Sequence, residues 1–266
     1  MAGASNPLRK IISLVLASAT AGLFGFGGVA PAIGQPSLRE ALQDRDEASR
    51  RVTAPVVARY EIDDGQGFIL DRSSSQPLLK FENSSEVWVL QAVPGPRGDI
   101  IYKNDLGQPM LRATKVGGLI LFTPQRPAGS AAALTGGTTP IGILVPVGPS
   151  ILLRRLAQAS VRVSRAAQHL VPMEADFDPA SASLIADAAV ICAEAFVRLA
   201  ARSDGRALMG QVGKIGFVEG QRPAVGLVNG VMVITVAPNL GMAGRPSSDR
   251  IIYTVVRGRG PPPPRR

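Results

Sequence analysis

The sequence predicts an α+β fold: an antiparallel β-meander toward the N-terminus, then a helical hairpin, then a C-terminal β-hairpin. Three observations predict it. Short β-rich runs separated by turn residues occupy residues 56–128. Two long stretches of helical period lie between residues 150 and 203. Asn229-Gly230 sits between two apolar, β-branched runs, and Asn-Gly supplies the two positive φ angles of a type I′ hairpin turn.

The chain opens with "MAGASNPLRK", which carries Arg9 and Lys10 and no acid, followed by the charge-free run "IISLVLASATAGLFGFGGVA". Ala30-Pro31-Ala32 and Ala32-Ile33-Gly34 then offer small residues at −3 and −1 of a cleavage site. Together these predict a secretory signal peptide over residues 1–34, cleaved near Ala32 or Gly34, and a periplasmic or secreted location. A retained membrane anchor is the alternative, since the run approaches spanning length. Gly22, Gly25, Gly27 and Gly28 break its second half and favour cleavage. No later charge-free stretch approaches spanning length, so no transmembrane segment is expected after cleavage.

Loss of the two basic residues takes the net charge from +9 to +7. Such a balance in the cytosol would point to nucleic acid. Export removes that partner and leaves anionic envelope components, lipid headgroups or acidic wall polymers, as the oppositely charged surfaces. Cys192 is the single cysteine, so no intramolecular disulfide is available, and the chain is long enough to bury a core without one.

Residues 35–55 predict a short charged helix, opened by the capping box Ser37-x-x-Glu40 and stopped by Pro55. Within 56–128 the meander contains an internal echo. "SQPLLKFENSSEVWVL" (75–90) returns 32 residues later as "GQPMLRATKVGGLILF". Leu79 and Phe81 alternate with Lys80 and Glu82, as Leu111 and Ala113 do with Arg112 and Thr114, which gives each copy one buried and one wet face. A duplicated three-stranded unit is one reading; two meander segments obeying the same local rules is the other. Residues 129–149, rich in Pro, Gly and Ala, read as a connection.

The αα-hairpin spans 150–203. Leu152, Leu156, Ala159, Val163, Ala166 and Leu170 form one stripe of the first helix, and Asp178-Pro179 opens the alanine-rich second. Residues 204–257 read as a β-hairpin region packing on the helices, with "RIIYTVV" as a last strand. "RGRGPPPPRR" predicts an extended basic tail over 258–266.

The candidate sites are few. His169, the single histidine, closes the first helix, and no G-x-S-x-G places a nucleophile near it. Cys192 falls on the apolar stripe of the second helix, a core position. One His and one Cys supply no zinc or copper site of the usual kind. Glu174, Asp176 and Asp178 lack EF-hand spacing, and "GQVGKIG" lacks the Walker A spacing, so neither metal nor cofactor is expected. Arg155, Arg162, Arg165 and His169 form a second stripe on the first helix, a candidate surface for an anionic ligand.

"SLREALQDR", "PRGDIIYKNDLGQPMLRATKVGGLILFTPQRPAGSAAA", "SRAAQHL", "ASASLIADAA" and "ITVAPNLGMAGRPSSDRI" resemble a family of exported bacterial proteins known only as a domain of unknown function. The resemblance covers essentially the whole mature chain. It implies a proteobacterial envelope protein and carries no activity or site residues with it. The leading functional reading is a non-enzymatic exported protein acting by binding or structural interaction. Two alternatives stay open: an envelope hydrolase using two converging carboxylates among Asp63, Asp64, Asp71, Glu82, Glu86, Asp99 and Asp105, or serines such as Ser247-Ser248, and a cationic binder of anionic lipid or wall polymer.

Overall fold

The computed structural model describes residues 54–142 and 144–258. The expected signal peptide and cleavage site, all but the last two residues of the segment expected to form a charged helix, and the expected tail beyond Gly258 lie outside the described residues.

Nine strands form one antiparallel sheet: β1 (Val57–Ile62), β2 (Gly67–Asp71), β3 (Leu78–Phe81), β4 (Val87–Val89), β5 (Gln91–Pro94), β6 (Ile100–Lys103), β7 (Pro109–Ala113), β8 (Leu119–Thr123) and β9 (Arg126–Gly137). Their order is β4-β3-β2-β1-β9-β8-β7-β6-β5. The two edge strands, β4 and β5, are consecutive in the chain and separated by Leu90 alone. Two peptide steps span at most about 7.6 Å, so the two edges of the sheet meet there and the sheet curls into a barrel. Strands β4 and β5 act as two halves of one bent strand, and the remainder is an up-and-down meander closed by β1 against β9. A barrel of this size has just room for its own side chains. Tyr60, Phe68, Leu70, Leu79, Trp88, Leu90, Tyr102, Leu111 and Leu121 fill it, with Phe68 stacked on Tyr60 at 5.5 Å between ring centroids.

The internal echo has a structural counterpart. In β2-β3-β4, Leu70 pairs with Leu79, which pairs with Trp88. In β6-β7-β8, Tyr102 pairs with Leu111, which pairs with Leu121. Strand order and direction agree in the two units, and so do the inward positions of the first two strands. On the third the inward residue shifts by one, since Trp88 echoes Ile120 and the barrel-facing residue is Leu121. Both units belong to one curved sheet.

Strand β9 occupies the first half of the segment expected to be a connection. Its residues, "RPAGSAAALTGG", are poor strand formers, but β1 and β8 bond to it on either side, and barrel closure overrides propensity. Gly129 has φ +89°, and a Cβ there would lie 2.5 Å from Ile120 Cγ2; only glycine fits.

The second layer holds α1 (Pro149–Ala167), β10 (Met173–Ala175), α2 (Ala182–Ala200), α3 (Gly205–Met209), β11 (Lys214–Glu219), β12 (Ala224–Val228), β13 (Val231–Val236) and α4 (Ser248–Arg257). The strands form a mixed sheet ordered β10-β11-β13-β12, with β10, β11 and β13 parallel and β12 antiparallel to β13. Asn229 and Gly230 have φ +50° and +78°, and Val228 faces Val231, the expected I′ hairpin. Helices α1, α2 and α4 cover one face of this sheet over a single core that includes Leu152, Ile185, Phe196, Phe217, Ile234 and Val255. Helix α2 with its lead-in turn is apolar enough to cross a membrane, at mean hydropathy 1.7, but 67% of that stretch is buried in this core. Its composition answers to burial on several sides.

One expectation for the C-terminal part is corrected. The expected hairpin β12–β13 is present, within a four-stranded sheet, but "RIIYTVV" is helical rather than a strand. Its β-branched residues favour a strand locally. Ser247 caps a helix there instead, accepting from Arg250 N at 3.2 Å, and Ser248, Ile251, Thr254 and Val255 are buried at helical spacing. Truncating Phe68 to alanine removes the centre of the barrel filling and should cost about 3–5 kcal/mol, read as a shift in denaturant midpoint with unchanged m-value.

Candidate functional site

Because the barrel closes at a bent strand, β4 bonds only to β3 and β5 only to β6. Among the described residues no strand lies beside the second edge of β4. The segment "RPSSDR", residues 245–250, fills that seam. Arg245 Nη2 donates to the Val87 carbonyl at 2.8 Å, and its Nε is ion-paired with Asp187 of α2. Ser248 donates through N to Glu86 Oε1 at 2.9 Å and through Oγ to Glu86 Oε2 at 2.5 Å. Ser247 donates through N and Oγ to Asp105 at 3.1 and 2.6 Å, and Arg250 Nε reaches the same carboxylate at 3.0 Å. From α2, Arg198 donates to Ser248 Oγ at 2.5 Å and to Asp249 Oδ1 at 2.7 Å. Two barrel carboxylates thus meet the N-terminal end of α4, where the helix dipole favours negative charge.

The burial of this node decides its chemistry. Ser248 is fully buried, and Glu86 is 2% exposed. Burial pushes the Glu86 carboxyl above its ordinary value, against the two hydrogen bonds from Ser248 and the charge of Arg245, which pull it down. The Ser248 hydroxyl, with no exposed surface of its own, is held between the Arg198 guanidinium and the Glu86 carboxylate, and the cavity of about 340 Å³ beside it is lined by Glu86, Arg198 and Asp249 but not by Ser248. This arrangement joins two layers; it does not present a nucleophile.

Beside the node the layers leave a groove. One end is a cavity of about 520 Å³ lined by Gln76, Val87, Gln91, Arg222, Leu240 and Arg250 among others. It adjoins a second cavity of about 450 Å³, lined by Ser73 to Gln76, Leu78, Ile141 and Met242, with Gln76, Leu240 and Ala243 common to both. The wall shared by the two is the turn Pro238–Gly244. A Cβ on Gly244 would lie 2.0 Å from the Ala237 carbonyl oxygen, so glycine is required for the turn to close. On the barrel side, buried Asp71 accepts from Ser73 N and Oγ and from Ile141 N at 2.8, 2.5 and 2.8 Å. Burial alone would raise its pKa, and these hydrogen bonds hold it below the ordinary value. Arg222, on the β11–β12 turn, is exposed and has no carboxylate partner among the described residues.

The residues singled out from sequence lie elsewhere. Arg162 pairs with Glu194 at 3.2 Å, and Arg155 and Arg165 are exposed on α1. His169 is half-buried, with Nδ1 3.1 Å from the Ala167 carbonyl and Nε2 2.8 Å from the Val212 carbonyl, and so anchors the end of α1 to the approach to β11. Cys192 is fully buried, which pushes its thiol far above the ordinary range. Asp178 caps the turn before α2, accepting from Ala180 N at 2.9 Å, and Glu174 pairs with Lys214 at 2.6 Å. Of the sequence candidates, Ser247-Ser248 and two of the seven candidate carboxylates of the β region, Glu86 and Asp105, belong to the node. Nothing local set those two apart from the other five, and Arg222, Arg245 and Arg250 had no signal at all, since their partners or neighbours lie far away in the chain.

Two outcomes follow. Arg245→Ala leaves Asp187 and the Val87 carbonyl without their buried partner and should cost about 3–5 kcal/mol. The fluorescence of Trp88, the single tryptophan, and the circular dichroism of the helices should then report separate transitions where the wild type shows one. Glu86 binds its proton more tightly folded than unfolded, so it contributes stability at low pH that is lost as pH rises through its raised value. The stability difference between wild type and Glu86→Gln, measured by denaturant unfolding, should therefore decline as pH climbs from the ordinary value of 4.5.

No curated protein and no solved structure matches the chain. A family model described as "Domain of unknown function (DUF4908)" matches residues 37–255. That span takes in the barrel, both sides of the seam, the groove and α4 as far as Val255. The chain belongs to this DUF4908 family.

Proposed function

We propose that this chain is an exported, non-enzymatic binding protein that takes an anionic ligand with an apolar body in the groove between its two layers. The groove itself carries the reading. Its larger cavity, about 520 Å³, is within the range that encloses small molecules. Three arginines line it against one carboxylate, Asp105, which is already engaged by Ser247 and Arg250. Arg222, exposed and without a carboxylate partner among the described residues, is the cation offered to a ligand, and Gln76 and Gln91 add amide donors. Leu240, Met242, Ala243, Leu78 and Ile141 then continue as an apolar floor into the second cavity. Charge at one end and hydrocarbon along the floor suit an amphiphilic carboxylate or phosphate. A hydrolytic reading would require Ser247 to leave the carboxylate it donates to, and no imidazole stands near it to take its proton.

Titration of the protein with a series of alkyl phosphates, followed by calorimetry, tests the proposal. Affinity should rise with chain length by about 0.8 kcal/mol per methylene until the floor is covered, and Arg222→Glu should weaken binding at least tenfold. Affinity independent of both chain length and Arg222 would reject the groove. Export rests on the N-terminal segment: the native protein should begin at Ile33 or Gln35, and an intact Met1 on a cytosolic protein would reject it.

A further inference from the structure

Helix α1 commits one side to the core and leaves the other uncovered. Leu152, Leu156, Ala159, Val163 and Ala167 are buried. At 100° per residue, the direction opposite that stripe falls on Arg154, Val161 and Arg165. Leu153 and Ala157 lie along one flank, and Arg155 and Arg162 along the other. Leu153 is 62% exposed and Val161 49%. Ser160 Oγ donates to the Val171 carbonyl at 2.8 Å, and Val171 N donates to Ser164 Oγ at 2.9 Å. These bonds draw the following segment back along the Leu153 flank, and Leu170 projects from it, 78% exposed.

The charge on this face is of one sign. Helix α1 contains Arg154, Arg155, Arg162 and Arg165 and no acid. Only Arg162 has a carboxylate partner among the described residues, Glu194. The nearby acids, Glu174 in β10 and Asp176 just after it, turn away, because Met173, Ala175 and Phe177 pack against the helical core and the alternation of the extended chain sends the residues between them to the far side of the sheet.

We infer that this face of α1 docks on an anionic lipid surface, with the arginines at the headgroups and Leu153, Val161 and Leu170 entering the boundary below them. A basic helix with exposed aliphatic side chains lies in such an interface by combining both contributions. An acidic polysaccharide would account for the arginines but gives the three aliphatic side chains nowhere to go, which is why lipid is favoured. The inference is independent of the groove.

The test is sedimentation of the full chain with vesicles of phosphatidylglycerol and phosphatidylcholine, against vesicles of phosphatidylcholine alone. Binding should require phosphatidylglycerol and weaken as salt is raised. Arg154→Gln with Arg165→Gln should lower affinity by about fivefold per arginine, roughly 25-fold together. The charge-retaining pair Arg154→Lys with Arg165→Lys should keep it, which separates lost attraction from lost fold. Leu153→Ser with Val161→Ser should lower vesicle affinity severalfold and leave any binding to soluble dextran sulfate unchanged. Equal binding to neutral vesicles, or binding that ignores both the arginine and the aliphatic pairs, would overturn the inference and place retention in residues 11–30. Dextran sulfate binding as strong as vesicle binding, together with indifference to Leu153 and Val161, would also overturn it, in favour of a polymer.

Discussion

The constraint on which the rest of the structure depends is the closure of a β-barrel at a strand that bends. Leu90 divides one strand into β4 and β5, each half bonded to a different neighbour. A strand bonded on one side leaves backbone groups that must find partners or water. At β4 the partner comes from the other layer. Arg245 satisfies the Val87 carbonyl, and the capped start of α4 takes Glu86 and Asp105 as counter-groups. At β5 the exposed edge is short and ends in Pro94, which has no N–H to leave unpaired. The two ends of one seam are managed by different means, and only one of them recruits a second layer.

Joining the layers there has a geometric result. Contact is concentrated on a polar node and not on a broad apolar face, so the layers diverge beside it and a groove remains. The same turn that delivers Arg245 to the seam, Pro238–Gly244, also forms the groove wall. Anything that shifts this turn acts on the joint and on the cavity together. Because the node's ions are buried, its contribution lies in fixing the relative placement of the layers as much as in raw stability.

Much of this fold was legible in the sequence where the determinants are local. Period-two alternation in "LLKFE" and "MLRAT", the Asn229-Gly230 turn, Asp178-Pro179 and the α1 stripe from Leu152 to Val163 each act within a few residues, and each appears as expected. The end of that stripe does not, since Gln168 turns left-handed after Ala167 and leaves Leu170 outside the helix and exposed. Strand β9 and helix α4 were not legible, for opposite reasons. The alanines and glycines of β9 are held extended by two neighbouring strands, and the β-branched residues of α4 are held helical by Ser247 and by burial on α2 and β12. The site was least legible of all. The partners of Ser247, Ser248 and Arg245 are removed by 142, 162 and 158 residues, and a glutamate before a strand carries no mark of the helix it will cap. "GRPSSDR" drew notice for its serines, whereas its arginines and backbone amides form most of the contacts.

The solitary thiol has a use in the laboratory. Cys192 lies at the centre of the helical layer with no exposed surface, and its surroundings suppress the reactive thiolate. Alkylation in native buffer must therefore wait for that layer to open, and its rate counts those openings. The barrel contains no cysteine, so the label stays silent about it and isolates the breathing of one half of the molecule.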